Sequence, residues 1–182
     1  VGPDLEGRAP LKPFADVNEM VSKLSRLFHR MSTDLGEKFD MLVEMDTLDL
    51  DTRKGKAPGG YQYYLQKSRV PFIFMNAAGL QGDLETMIHE AGHAFHSIYC
   101  GHLELIGERS YPIEFAEVAS MSMELMTQNE WGEFYNDEEA NRARIGHLEG
   151  IIFLLPWIAT IDSFQHWIYS NPRHTRDERK TV

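Results

Sequence analysis

The chain has 182 residues, 42% of them hydrophobic and 25% charged, the balance of a globular protein with one ordinary domain and a core of its own. Its formal net charge of −10 argues against nonspecific nucleic-acid binding, which needs a basic face. That acidity fits a cytosolic protein that attracts cationic ligands mildly, and it fits a simple solubility role equally well. No apolar run reaches the roughly 18 residues of a membrane span, so no membrane partner is expected. The longest run, "GIIFLLPWIATI", is interrupted by Pro156 and reads as a buried helix. The N-terminus shows no basic n-region or apolar h-region, so it does not read as a signal peptide. The absence of an initiator Met points to a fragment or a processed chain. The single Cys100 cannot form an internal disulfide and favours a reducing, cytoplasmic location.

No internal repeat or long low-complexity linker is present. Val17, Met20, Val21, Leu24, Leu27, Phe28 and Met31, then Leu35, Phe39 and Leu42, recur at helical spacing, which predicts two helices with a break near Ser32–Asp34. "MDTLDLDTRKGKAPGGYQYYL" loses that period and reads as strand, loop and a second strand. "VPFIFMNAAG", rich in aromatic and β-branched residues, predicts a further strand closed by Gly79. Asp83 is the expected N-cap of a helix from about Leu84 to Tyr99, ended near Gly101. "GHLELIGERSY" reads as a loop, and Pro112 opens a helix from Ile113 to about Asn129. The remainder predicts a helix pair, or one helix kinked at Pro156. Met121, Met123 and Met126 read as core filler. The expected class is mainly α with a small β-sheet just before the histidine-rich helix.

That helix carries "HEAGH" at positions 89–93, the HExxH pattern. Residues i and i+4 of an α-helix lie about 40° apart around the axis and about 6 Å along it, so both imidazoles can reach one metal ion from the same face. Glu90 lies about 100° round from His89, beside such a metal. There it can take a proton from an attacking water and later give it to a leaving amine. His96 shares the His89 face to within about 20°, but it is about 10 Å further along the axis. Donors on one tetrahedral zinc lie only about 3–3.5 Å apart, so His96 reads as packing or as a support outside the coordination shell. A His93/His96 pair is the rival arrangement, and it leaves Glu90 pointing elsewhere. The longer HExxHxxGxxH pattern is missing, because position 96 is His and position 99 is Tyr.

A catalytic zinc takes three protein ligands and keeps one open position. Glu104, Glu108, Glu114, Glu117 and Glu124 are the downstream candidates. The first two fall in the expected loop and the other three on the next helix. Ala116, Ala119 and Ser120 flank Glu117 and permit two helices to approach closely. Glu124, seven residues further on the same face, can anchor a ligating histidine through its second ring nitrogen.

"HEAGHAFHS" followed by "EFAEVAS", with "GKAPGGY" and "PFIFMNAAG" upstream, resembles the thimet oligopeptidase / oligoendopeptidase F family of zinc metallopeptidases. "AEVAS" brings it nearer to the oligoendopeptidase F branch than the thimet-like "VEAPS" does. The likeness runs from about Phe14 to Tyr169. It implies a zincin-like metallopeptidase core with one Zn2+ per chain, held by His89, His93 and Glu117, with Glu90 as general base and acid. Oligopeptides are the implied substrates, lying in a long channel. The edge strand of the small sheet pairs with substrate in this family, a role the resemblance gives to "FIFMNAAG" by strand addition. Gly59, Gly60, Tyr61, Phe74, Asn76 and Ala77 become candidate substrate contacts, and His96 and Glu124 candidate supports of the ligands. "KGKAPGGY" does not follow the order of a phosphate loop.

Family enzymes also use a His/Tyr-rich segment beyond the metal helices to stabilise the oxyanion, and a large N-terminal helical part. The chain is therefore expected to be the catalytic core of a larger oligopeptidase. Losing an oxyanion donor typically costs about 10²–10³ in rate, and a zinc-stabilised peptide-binding module without activity is the alternative. His147, His166, Tyr169 and His174 read as ordinary helix or tail surface.

Overall fold

The computed structural model describes residues 6–182; the first five positions, which bear in part on the reading of the N-terminus, lie outside the described residues. Asp16 caps helix α1 (Val17–Met31) by accepting the Glu19 N–H at 2.9 Å. Glu19 returns the favour, accepting the Ala15 N–H at 2.6 Å, so two otherwise orphaned donors are satisfied reciprocally. Ser32 is extended and separates α1 from α2 (Thr33–Glu44). Met20, Leu24, Leu27 and Phe28 of α1 and Phe39 and Leu42 of α2 are fully buried. Their rings converge on the histidine-bearing helix: Phe28 lies 5.1 Å from Phe39 and meets Phe95 edge-on at 5.0 Å. Each such ring contributes about 1.5–3 kcal/mol of burial, which fixes that helix from beneath.

Three short strands follow: β1 (Leu48–Asp51), β2 (Tyr61–Leu65) and β3 (Val70–Ala77). Their spatial order is β1-β3-β2, parallel between β1 and β3 and antiparallel between β2 and β3. This corrects the strand-addition reading of "FIFMNAAG". β3 is the central strand, occupied by β1 on one side and by β2 from Val70 to Phe74 on the other. From Pro71 to Ala77 its alternation of buried and half-buried positions is that of a strand packed inside a sheet.

Helix α3 (Gln81–Cys100) begins earlier than expected. Asp83 is not its N-cap but sits inside the first turn, where its carboxylate accepts the N–H groups of Ala78 and Leu80, each at 2.8 Å. A 3₁₀ turn at Ile106–Arg109 interrupts the expected loop. Pro112 then occupies the cap position of α4 (Ile113–Met126), which passes into a 3₁₀ segment, Thr127–Glu133, at the point where the helix was expected to continue. Of the three methionines read as core filler, only Met123 is buried; Met121 and Met126 are exposed. Glu133 accepts from Arg26 at 3.0 Å and from Arg30 at 2.8 Å, tying the 3₁₀ segment to α1.

The chain divides into two compact units, one ending at Ala140 and one running from Asn141 to Val182. The second unit holds most of α5 (Asp137–Ser170), which runs unbroken through Pro156, and a short α6 (Arg176–Arg179) capped by Thr175. Here the reading of a buried apolar helix is corrected: Ile152, Phe153, Leu155 and Trp157 are all more than 60% exposed. The cause is a sequence apolar on every face of a helix, more than one packed neighbour can cover. By length and composition alone α5 is long and apolar enough to cross a membrane, a property shared by helices whose faces meet other protein. His147, read as surface, is buried at 8% exposure.

Candidate metal centre

Helices α3 and α4 approach closely because Gly92 has no side chain. A Cβ built there would lie 2.7 Å from Ser120 Cα and 3.0 Å from the Ala119 carbonyl oxygen, contacts that backbone atoms cannot yield. The glycine of "HEAGH" therefore sets the distance between the helix bearing the histidines and the helix bearing Glu117. Sequence reasoning credited this approach to the small residues of α4 and missed the partner on α3, although an adjacent Ala91–Gly92 pair inside an apolar helix was a visible signal.

With the helices so close, His89, His93 and Glu117 bring one donor atom each into a single cluster. The His89 and His93 Nε2 atoms are 3.2 Å apart. Glu117 Oε2 lies 3.3 Å from His89 Nε2, and its Oε1 3.7 Å from His93 Nε2. Ligands about 2.1 Å from one tetrahedral zinc are separated by about 3.4 Å, so the donor set fits such an ion in chemistry and spacing.

The remaining ring nitrogen of His89, Nδ1, lies 2.6 Å from Glu124 Oε1, which sets the tautomer that leaves Nε2 free to ligate. The His93 ring hydrogen-bonds the Ala116 backbone. Ser120 Oγ donates to Glu117 Oε2 at 3.1 Å and holds the carboxylate in place. Burial opposes a charge on His89, but the Glu124 hydrogen bond and the surrounding carboxylates outweigh it and raise its pKa. Burial, with His89 beside it, lowers the pKa of His93.

Glu90 is buried next to this cluster. Burial raises its pKa above the ordinary carboxylate range, while His89 and a backbone hydrogen bond from Gln62 work in the opposite direction. That Gln62 contact, which carries no sequence signal, sets β2 beside the metal donors. His96 is separate from them. Its ring stacks on Tyr111 at 3.9 Å, and burial lowers its pKa.

The candidate substrate contacts are split. Tyr61 stacks on its cross-strand partner Phe74 at 5.0 Å. Asn76 donates to the carbonyls of Ala57 at 2.7 Å and Gly59 at 3.2 Å, clamping the glycine-rich segment to β3. A Cβ on Gly60 would meet Thr86 Cγ2 at 2.8 Å, so that segment lies directly on α3. Ala77 is buried and paired with Asp51.

A small sheet, a helix that presents two histidines to a glutamate on the next helix, and a buried carboxylate beside them form a candidate metal centre of the HExxH type. The sequence matches the model of peptidase family M3 over residues 18–182, and the chain belongs to that family. It is 25% identical to the chromosomal oligoendopeptidase F of Lactococcus lactis over 89% of its own length, and 28% identical to oligopeptidase PepF of Bacillus subtilis over 75%. Among solved structures, a Bacillus anthracis protein assigned to oligoendopeptidase F superposes with a TM-score of 0.90 at 34% identity, over 96% of this chain and 32% of that one. PZ peptidase A, solved with an inhibitor, gives 0.88 at 35% identity, over 94% of this chain and 30% of that one. The chain spans about a quarter of the length of these curated relatives, 25% and 21% respectively.

Proposed function

We propose that this chain is the catalytic core of a larger zinc-dependent oligopeptidase, in which His89, His93 and Glu117 hold one Zn2+ and Glu90 moves the protons of peptide-bond hydrolysis. The observation that carries the reading is the convergence of those three donor atoms within 4.8 Å of one another, beside a buried carboxylate of raised pKa. When bound, zinc supplies Lewis-acid polarisation of the scissile carbonyl and acidifies the attacking water. The chain's own residues do the rest. Glu90 accepts the proton as water oxygen adds to the carbonyl carbon, and it delivers that proton to the amine nitrogen as the C–N bond breaks. Glu124, through Nδ1 of His89, keeps that ring in its ligating tautomer.

Strand addition is assigned to β2, which has one strand neighbour and brings the Gln62 backbone beside Glu90. A peptide laid along its open edge passes the metal donors with its backbone hydrogen-bonded, and Gly59, Gly60 and Tyr61 lead into that edge. Replacement Glu90→Gln tests the assignment. The variant is expected to bind zinc in a one-to-one ratio and to lose hydrolysis of a quenched fluorescent oligopeptide by a factor of about 10²–10⁴ or more. Hydrolysis at the parental rate in a zinc-loaded variant would refute the role of Glu90.

A further inference from the structure

Further along α3 from the metal donors, a cavity of about 210 Å³ is lined by Gln62, Tyr64 and Gln66 on one side and by Ser97, Arg109 and Tyr111 on the other. Its charge is unusual for a protein with a net charge of −10. Arg109 is only 7% exposed. Its Nε donates to the Leu103 carbonyl at 2.7 Å, Nη2 to the Glu104 carbonyl at 2.9 Å, and Nη1 to Gln66 Oε1 at 3.2 Å. All three acceptors are neutral, and among the described residues Arg109 has no ion-pair partner. A guanidinium carries five N–H donors, so two remain, one on each terminal nitrogen. A buried charge solvated only by carbonyl dipoles gains most from an anion.

The rest of the lining fits the same ligand. Among the described residues, no aspartate or glutamate lines the cavity. The Ser97 and Tyr111 hydroxyls, 3.0 Å apart, share one hydrogen bond and leave a second proton to donate. The cavity thus offers one positive charge and several donors.

Its position relative to the metal donors is fixed by one residue. The Gln62 backbone lies close enough to Glu90 to oppose the rise of its pKa, and the Gln62 side chain donates to Ser97 Oγ at 3.3 Å. Ser97 follows His89 by eight positions on α3, about 12 Å along the axis, which an extended peptide covers in about three to four residues. We propose that this cavity receives a carboxylate of the bound peptide, about three to four residues from the cleaved bond, with Arg109 as its counter-ion. The carboxylate is that of an acidic side chain or of the peptide's own C-terminus. The proposal deepens the peptidase reading and rests on it.

The test measures binding, so that it does not depend on turnover. Dye-labelled peptides are titrated by fluorescence anisotropy into the zinc-loaded chain carrying Glu90→Gln. One pair differs by Glu against Gln at each position from two to five residues either side of the scissile bond, and a second pair by a C-terminal acid against its amide. An acid preference of about tenfold or more is expected, and whichever pair shows it identifies the source of the carboxylate. The second variant, Gln66→Glu, sets a carboxylate against Nη1 without cutting the bonds Arg109 makes to its loop, and it is expected to reduce the preference to near parity. Equal binding of acid and amide in every pair, absence of binding, or a preference that survives Gln66→Glu would each overturn the proposal. Failure of the peptidase reading is recorded separately, as absence of zinc binding or undiminished hydrolysis in the Glu90→Gln chain.

Discussion

The two ends of the histidine face of α3 carry opposite charge environments on one continuous helix. Around His89 and His93 stand Glu90, Glu117 and Glu124, with Ser120 and the Ala116 backbone as supports. His96 stacks on Tyr111, and the cavity at Ser97 is lined by Tyr111, Tyr64 and Arg109 and, among the described residues, by no acid. Two imidazoles and three carboxylates at the first end form a place for a cation, whereas a buried guanidinium at the second forms a place for an anion. Three histidines of identical chemistry therefore do different things according to which carboxylates the next helix brings to them.

The sharpest way to break this contrast is to separate the helices at the acidic end only. Gly92→Ala places a methyl group 2.7 Å from Ser120 Cα, and overpacking against backbone is expected to cost about 3 kcal/mol. Urea unfolding measures that loss, and zinc titration of the variant should show weakened binding, because Glu117 moves away with α4. The acceptors that hold Arg109 belong to the turn after β2 and to the segment before α4, so the anion cavity should change less. A smaller effect comes from Glu124→Ala, which leaves the three metal donors in place and removes the partner of His89 Nδ1. Zinc affinity is expected to fall about 10–100-fold, read by competition with a chelating dye, with stability of the metal-free chain changed far less.

The smallest effect lies away from both ends and serves as their control. Hydrogen bonding from Arg26, together with Arg30 and against the opposing effect of burial, holds the Glu133 pKa below its ordinary value. A carboxyl whose pKa is depressed on folding contributes stability that is complete above its unfolded pKa of about 4.3, and that is lost as pH falls through the lower folded value. Comparing urea midpoints from pH 7 down to pH 3, the double variant Arg26→Gln/Arg30→Gln should lose less stability on acidification than the parent. Zinc binding at neutral pH should be the same in both.

The first half of the fold was legible because its signals are local. The 3.6-residue period of α1 and α2 follows from having one buried face each, and its interruption places the break near Ser32–Asp34. Within the candidate site, the HExxH spacing was equally local, since two histidines at i and i+4 must share a helix face. What failed depended on neighbours. Strand periodicity in β3 could not say whether the strand lay at the centre of the sheet or its edge, because pairing partners are set by topology. The apolar run around Pro156 promised burial, yet composition specifies only that a surface is apolar and not what covers it. Arg109 and Gln62 had no pattern to announce them. An arginine in a polar loop and a glutamine in a strand gain their roles only when β2, α3 and the 3₁₀ turn close around one cavity.

The central claim is that His89, His93 and Glu117, and not His96, hold the metal. Crystals of the zinc-loaded chain, with diffraction recorded on both sides of the zinc absorption edge, measure it directly. The account predicts one anomalous peak per chain, about 2.1 Å from His89 Nε2, from His93 Nε2 and from a Glu117 carboxylate oxygen, with the His96 ring still stacked on Tyr111. A peak bonded to His93 and His96, or zinc found only at surface carboxylates, would contradict it.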